Sequence, residues 1–209
     1  AVLLAAAVPA LETLCRRFAG FGASRAVPEQ VAALQALARI GGRDAAQAVA
    51  RTIDRAVVQG PGLAVALATA AQMGATLSDD VAQALLQHAD PAIRADACRC
   101  VRGSRDFVPA LARLLDDADG AVVRSAACTL GRMGRPEARQ TLRKLLRDAP
   151  AGDVIDAVSA VADEDCVVLL GRIARSIPSL AEAALDALDG ADHPRAAVIA
   201  TAIRNQPRS

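Results

Sequence analysis

Asp90-Pro91-Ala92-Ile93-Arg94 opens one stretch of the chain, and Asp119-Gly120-Ala121-Val122-Val123-Arg124 opens the next. Ile93 and Val123 stand thirty residues apart, as do Arg94 and Arg124, and Ala97 and Ala127. An Asp before a helix-starting Pro or Gly reads as an N-cap, because its carboxylate accepts backbone N–H groups that the first turn leaves unpaired. Each opening leads into an apolar-periodic run and then a polar break, Gly103-Ser104-Arg105 in one copy and Gly134-Arg135-Pro136 in the other. A second run follows each break, carrying Val108, Leu111 and Leu115 in the first copy and Leu142, Leu145 and Leu146 in the second. Spacings of three, four and seven place such residues on one stripe of a helix. The unit is a pair of helices joined by a short turn.

Similar start signals recur at Pro28, Pro61, Pro91, Gly120, Pro150 and Pro178, at intervals of 28 to 33 residues. A period of this length predicts an array of helix pairs, because one pair cannot bury its own apolar face and must stack on its neighbours. The expected layout is a single domain over residues 1–209. It comprises a partial N-terminal helix at 1–20 and repeats at approximately 28–59, 61–88, 90–116, 119–148, 150–175 and 178–205.

Composition agrees. The chain has 209 residues, 53% hydrophobic and 22% charged, which is too apolar for a disordered protein. Its only aromatic residues are Phe18, Phe21 and Phe107, so the core must be filled by Ala, Leu, Val and Ile, with elements in close approach. Ala is the strongest helix former and strand-favouring residues are in the minority, which predicts an all-α chain. The Arg and Ala bias, with Lys144 the single lysine, reads first as the mark of a GC-rich genome. Cys15, Cys98, Cys100, Cys128 and Cys166 are odd in number and spread among apolar neighbours, as expected of reduced core thiols. Cys98 and Cys100 form C-x-C without a second cluster, so no zinc site is expected. The opening AVLLAAAVPA lacks the basic start of a signal peptide, and no apolar run reaches the ~18 residues of a membrane span. A cytoplasmic location is the expectation.

The pattern over residues 90–148 resembles HEAT repeats, most closely the short bacterial HEAT-like repeat also found in phycobilisome-lyase-type proteins. That family runs Asp-Pro-x-Val-Arg, a small residue, Leu-Gly-x-Ile-Gly, then a polar-Pro turn into a second helix ending Leu-Leu. Leu130-Gly131, Met133-Gly134 and Leu145-Leu146 stand at the later elements. The other units match in period and apolar pattern, and Val154 replaces the arginine in the fifth. The resemblance implies a right-handed α-α superhelix, a HEAT/armadillo-like solenoid of about six helix pairs, with second helices lining a concave ligand face. Asp90, Arg94, Asp119 and Arg124 are then structural repeat positions, the Asp capping a helix and the Arg bridging adjacent units.

Chemistry is sparse. His88 and His193 lie in different units, and no His-Glu pair, phosphate-cradling loop or calcium-loop spacing occurs. Asp79-Asp80, Asp116-Asp117-Asp119 and Asp163-Glu164-Asp165 fall at predicted turns, where Asp caps helices. No catalytic residue, metal or cofactor is expected.

Charge is segregated, although the whole chain carries only +1: residues 90–147 hold twelve basic and seven acidic groups, and residues 148–209 hold five and ten. Arg139, Arg143 and Arg147 repeat every four residues with Lys144 alongside, a cationic stripe that Arg132 and Arg135 extend through the preceding turn. These six residues are the candidate partner-binding site; the competing reading is a solvated helix face, or pairing with Asp116, Asp117 and Asp148 from adjoining turns. The function that follows is a non-enzymatic scaffold binding an acidic protein segment. The alternatives are a nucleic-acid-binding HEAT-like protein of the glycosylase kind, disfavoured by the absence of Trp and Tyr for base stacking, or a bilin-lyase-related protein.

Overall fold

Proline and aspartate set the helix starts. The computed structural model describes residues 6–205. It begins with α1 (Val8–Arg17), α2 (Pro28–Ile40), α3 (Gly42–Asp54), α4 (Pro61–Gln72), α5 (Asp79–Leu85) and α6 (Pro91–Cys100). There follow α7 (Val108–Arg113), α8 (Gly120–Arg132), α9 (Arg139–Asp148), α10 (Gly152–Ser159), α11 (Glu164–Ser176), α12 (Ala181–Gly190) and α13 (Pro194–Arg204). No strand occurs among the described residues, and the chain is all-α. Of the helix expected over residues 1–20, Val8–Arg17 is helical; Ala1–Ala5 lie outside the described residues.

Four helices, α2, α4, α6 and α13, carry Pro at their first position, where its missing N–H and fixed φ cost nothing. Asp90 caps α6 by accepting from Ala92 N at 2.9 Å, Asp119 caps α8 from Ala121 N at 2.8 Å, and Asp163 caps α11 from Cys166 N at 3.0 Å. Each such cap contributes about 1 kcal/mol. Asp79 and Asp80, expected as caps, instead occupy the first turn of α5 behind Ser78 at the N-cap position, where their charge complements the positive helix end. The end of α8 is a left-handed turn at Gly134 (φ 67°), with Arg135 N donating to Leu130 O at 2.9 Å and Gly134 N to Gly131 O at 2.8 Å.

The described residues form two compact units, one reaching Phe107 and one starting at Val108. In the first, α2, α4 and α6 pack in succession as a row of first helices, and α1 lies on α2 and α3, the place of the second helix of a preceding pair. In the second, α8, α10 and α12 form the first-helix row and α9, α11 and α13 the second-helix row. Side chains between the rows are small and aliphatic: Ala126, Ala127, Leu130, Leu142, Val154, Ala157, Val158 and Leu170 are wholly buried. The close approach is closest at Gly131, where a Cβ would lie 2.4 Å from Ala157 O and 2.7 Å from Leu142 Cδ1. All five cysteines are buried. Burial pushes the Cys100 thiol up to about 12 and those of Cys128 and Cys166 to about 11, so they stay protonated packing groups.

Candidate functional site

The basic stripe lies on α9, whose apolar side buries Leu142 and Leu146. One turn apart on the flank facing α11, Arg139 and Arg143 are already engaged. Arg139 Nε donates to Val161 O at 3.0 Å, satisfying a carbonyl just past the end of α10, and lies 3.8 Å from Asp163 Oδ2. Arg143 Nη2 donates to Asp163 Oδ2 at 2.6 Å, and its Nη1 lies 2.7 Å from Asp165 Oδ2. The carboxylates that take up the stripe therefore come from the start of the next second helix. Among the described residues neither Arg139, Arg143 nor Arg147 pairs with Asp116 or Asp148.

Arg147 is one turn further along the same flank, and Lys144 points away from the core; both are exposed and, among the described residues, without an ion-pair partner. Arg132 is exposed at the last turn of α8, with a 3.5 Å contact to Thr129 Oγ1. Arg135 is half-buried in the α8–α9 turn, and its Nε is buried with no hydrogen-bond partner. The structure therefore divides the six candidates: Arg139 and Arg143 serve as ties between pairs, Arg132, Lys144 and Arg147 have charges turned to solvent, and Arg135 is half-buried in the turn.

Two further cations join the solvent-facing group. Arg172 and Arg175 on α11 are exposed and make no ion pair among the described residues. Arg172 follows Asp165, the partner of Arg143, by seven residues, which puts it on the same side of α11 two turns on. Val168, 49% exposed, lies between them on that face. Sequence reasoning missed this pair because ten acidic groups dominate the segment in which they stand. The signal was present in the spacing of Asp165, Val168, Arg172 and Arg175, not in the sum of charges.

The repeat arginines do structural work. Arg124 Nε donates to Asp153 Oδ2 at 3.0 Å and its Nη2 holds Oδ1, a two-point clamp from α8 to the start of α10. Arg94 Nη1 donates to His88 O at 2.8 Å and Ala89 O at 2.9 Å, closing the turn before its own helix. Partial burial works to raise the Asp153 carboxyl, but the Arg124 guanidinium outweighs it and holds the group below its ordinary range. Asp163 behaves alike: burial acts upward, and the Cys166 N–H and Arg143 bring it down. His193 Nδ1 accepts from Arg195 N at 3.3 Å and His88 Nδ1 from Asp90 N at 3.0 Å, so both histidines act at helix starts.

Thirty-residue spacing, helix pairs in two rows and an arginine clamp between successive pairs now stand together. A match to the HEAT repeat family covers residues 78–162. Residues 78–162 are HEAT repeats. The match runs from the start of α5 past the end of α10 and takes in Arg94, Arg124 and the α9 stripe. It names HEAT repeats in general and does not single out the phycobilisome-lyase type. No match is found among curated proteins. Among the described residues, no group of His, Cys, Asp and Glu is placed to hold a metal ion, and no helix is long and apolar enough to cross a membrane.

Proposed function

We propose that the protein is a non-catalytic binding module, and that its second unit takes an acidic segment of another protein along the second-helix row. Lys144 and Arg147 of α9 and Arg172 and Arg175 of α11 would make the contact, with Arg132 and Arg135 at the rim. One observation carries this reading: Asp163 and Asp165, the carboxylates at the start of α11, are taken by Arg139 and Arg143, and Lys144, Arg147, Arg172 and Arg175 form no ion pair among the described residues, with Asp148 at the end of α9 the one acidic group beside them. Uncompensated like charges on neighbouring turns disfavour the free state, and an acidic partner relieves them while speeding encounter. Exposed Val168 offers an apolar contact among them. HEAT repeats generally mediate protein–protein interaction, which supports the same reading. Five buried cysteines fit a reducing, cytoplasmic setting.

The test is capture from nuclease-treated native lysate on the wild-type chain beside a Lys144→Glu/Arg147→Glu/Arg172→Glu variant. A protein held by the first bait and lost from the second, and then reproduced with purified components, is the expected result. Equal recovery on both baits would overturn the site. Recovery that vanishes with nuclease would turn the reading toward nucleic acid, whose phosphates the same cations suit.

A further inference from the structure

The first unit carries an exposed aromatic side chain beside a groove. Phe21 is 63% exposed, in a chain where Phe107 is buried and large apolar groups are otherwise mostly covered. It stands in the α1–α2 loop over a groove of about 480 Å³ formed with Phe18 and Val27, and Arg17 and Arg25 line the same groove. A second groove, along Ala10 and Leu14 of α1, meets the first at Arg17. Among the described residues neither Arg17 nor Arg25 has an ion-pair partner, and Glu12, the carboxylate on α1, is taken by Arg51 at 2.7 Å.

The loop that presents Phe21 is held in place. Buried Gln30 donates through Nε2 to Cys15 O at 3.1 Å, Val57 O at 3.1 Å and Phe18 O at 3.3 Å, tying the end of α1 to the α3–α4 turn. The Phe21 N–H closes onto Phe18 O at 3.1 Å. Gly60 packs flat against the loop, since a Cβ there would meet Ala23 O at 2.4 Å and Gly22 O at 2.5 Å. An aromatic fixed in an exposed position loses little entropy on binding, and Phe and Arg together are the composition of an interface anchor.

We propose that this groove binds a protein segment carrying one apolar side chain, Leu or Phe, flanked by carboxylates. The apolar group would lie against Phe21, Phe18 and Val27, and the carboxylates would meet Arg17 and Arg25. Charge decides between occupants. A neutral apolar surface, such as another helix pair, would bury both guanidinium groups without a partner. A second copy related by a two-fold axis would set the same arginines against each other. An acidic segment supplies what both residues lack. The surface lies in the other unit from α9 and α11 and shares no residue with them, so each proposal stands or fails alone.

The experiment pans a phage-displayed library of random 12-residue peptides on the whole 209-residue chain. Recovered sequences are then synthesised with a fluorophore and titrated by anisotropy. Peptides with Leu or Phe between Asp or Glu residues are expected. Their affinity should fall about tenfold or more with Phe21→Ser, the scale of a lost aromatic anchor. It should also fall with Arg17→Glu/Arg25→Glu, return largely with Phe21→Leu, and stay unchanged with Lys144→Glu/Arg147→Glu. Circular dichroism melts check that the exposed substitutions leave the fold intact. Recovery of no peptide, only of peptides without acidic residues, or only of peptides indifferent to Phe21→Ser would overturn the proposal. So would a concentration-dependent self-association in sedimentation velocity that Phe21→Ser abolishes, because the occupant would then be a second copy.

Discussion

Arg143 on α9 grips one oxygen of Asp163 at 2.6 Å while the other oxygen of that carboxylate accepts the Cys166 N–H at 3.0 Å. One side chain thus caps α11 and anchors the neighbouring second helix to it. Asp163→Ala removes both functions and should cost about 1–2 kcal/mol, the value of a cap with an added charge-assisted hydrogen bond. Asp163→Ser keeps a capping oxygen and should recover about 1 kcal/mol of that loss. Arg147→Ala, one turn beyond Arg143 and unpaired among the described residues, should stay within about 0.5 kcal/mol of wild type. Urea unfolding of the three variants separates the tie from the open cation; equal losses for Asp163→Ala and Arg147→Ala would contradict the division.

How far this was legible depends on the range of each interaction. Caps, Pro starts and apolar stripes act within one turn, so Asp90, Asp119 and the pairs beginning at Pro91 and Gly120 could be read directly from residue spacing. Ion pairs depend on what the stack brings alongside. Arg143 meets a carboxylate twenty residues on, Arg124 one twenty-nine on, and Arg51 reaches back thirty-nine residues to Glu12. Nothing local in the sequence distinguishes Arg143 from Arg147; only the packing of α9 beside α11 assigns one to the fold and leaves the other open. Phe21 was legible as a rare aromatic but not as an exposed one, because its exposure follows from how Gln30 and Gly60 hold the loop.

Acid should unfold the protein through identified carboxylates. The Arg51 guanidinium hydrogen-bonds Glu12, which is 7% exposed, and holds its carboxyl below the ordinary 4.5; Asp153 and Asp163 are likewise depressed below 3.8. A carboxyl that ionises more readily when folded stabilises the fold above its unfolded pKa, and that contribution is lost as the pH falls through the folded value. Stability should therefore be flat from pH 7 to about 5 and decline below about 4.5. Glu12→Gln leaves Arg51 without its charge partner and should cost about 1–3 kcal/mol at pH 7. The gap between Glu12→Gln and wild type should narrow as the pH drops toward 3. A gap of constant size across urea titrations at pH 7, 5, 4 and 3 would show that Glu12 does not carry the linkage.

Gly131 marks the tightest crossing of α8 with α10. Ala is intrinsically better than Gly in a helix by about 1 kcal/mol, so Gly131→Ala would stabilise an isolated α8. In the folded chain the new Cβ would lie 2.4 Å from Ala157 O, a backbone atom within α10. Steric repulsion should win, giving a net loss of about 1–3 kcal/mol. Gly120→Ala on the same helix meets nothing within 4 Å and should be neutral or slightly stabilising. Comparing the two by denaturant midpoint isolates the contact from helix propensity, and an unchanged midpoint for Gly131→Ala would mean that the helices can separate freely.

The turn after α3 uses the wrong residue for its geometry. Ala56 N donates to Ile53 O and Val57 N to Thr52 O, both at 2.9 Å, the same bond pattern that Gly134 makes after α8. Ala56 adopts φ 50°, the one non-glycine residue with positive φ among the described residues. Its Cβ crowds the following carbonyl there, a strain of about 1 kcal/mol that glycine avoids. Ala56 is exposed, so removing the methyl leaves no cavity. Ala56→Gly also loosens the unfolded chain, which offsets part of the relief. The net effect should be a gain of about 0.5 kcal/mol, and Ala56→Val, whose branched Cβ fits that backbone worst, should lose at least as much as Gly gains. Thermal melts of the pair bracket the wild type if the left-handed turn is retained; a destabilising Ala56→Gly would show that the turn is not left-handed in solution.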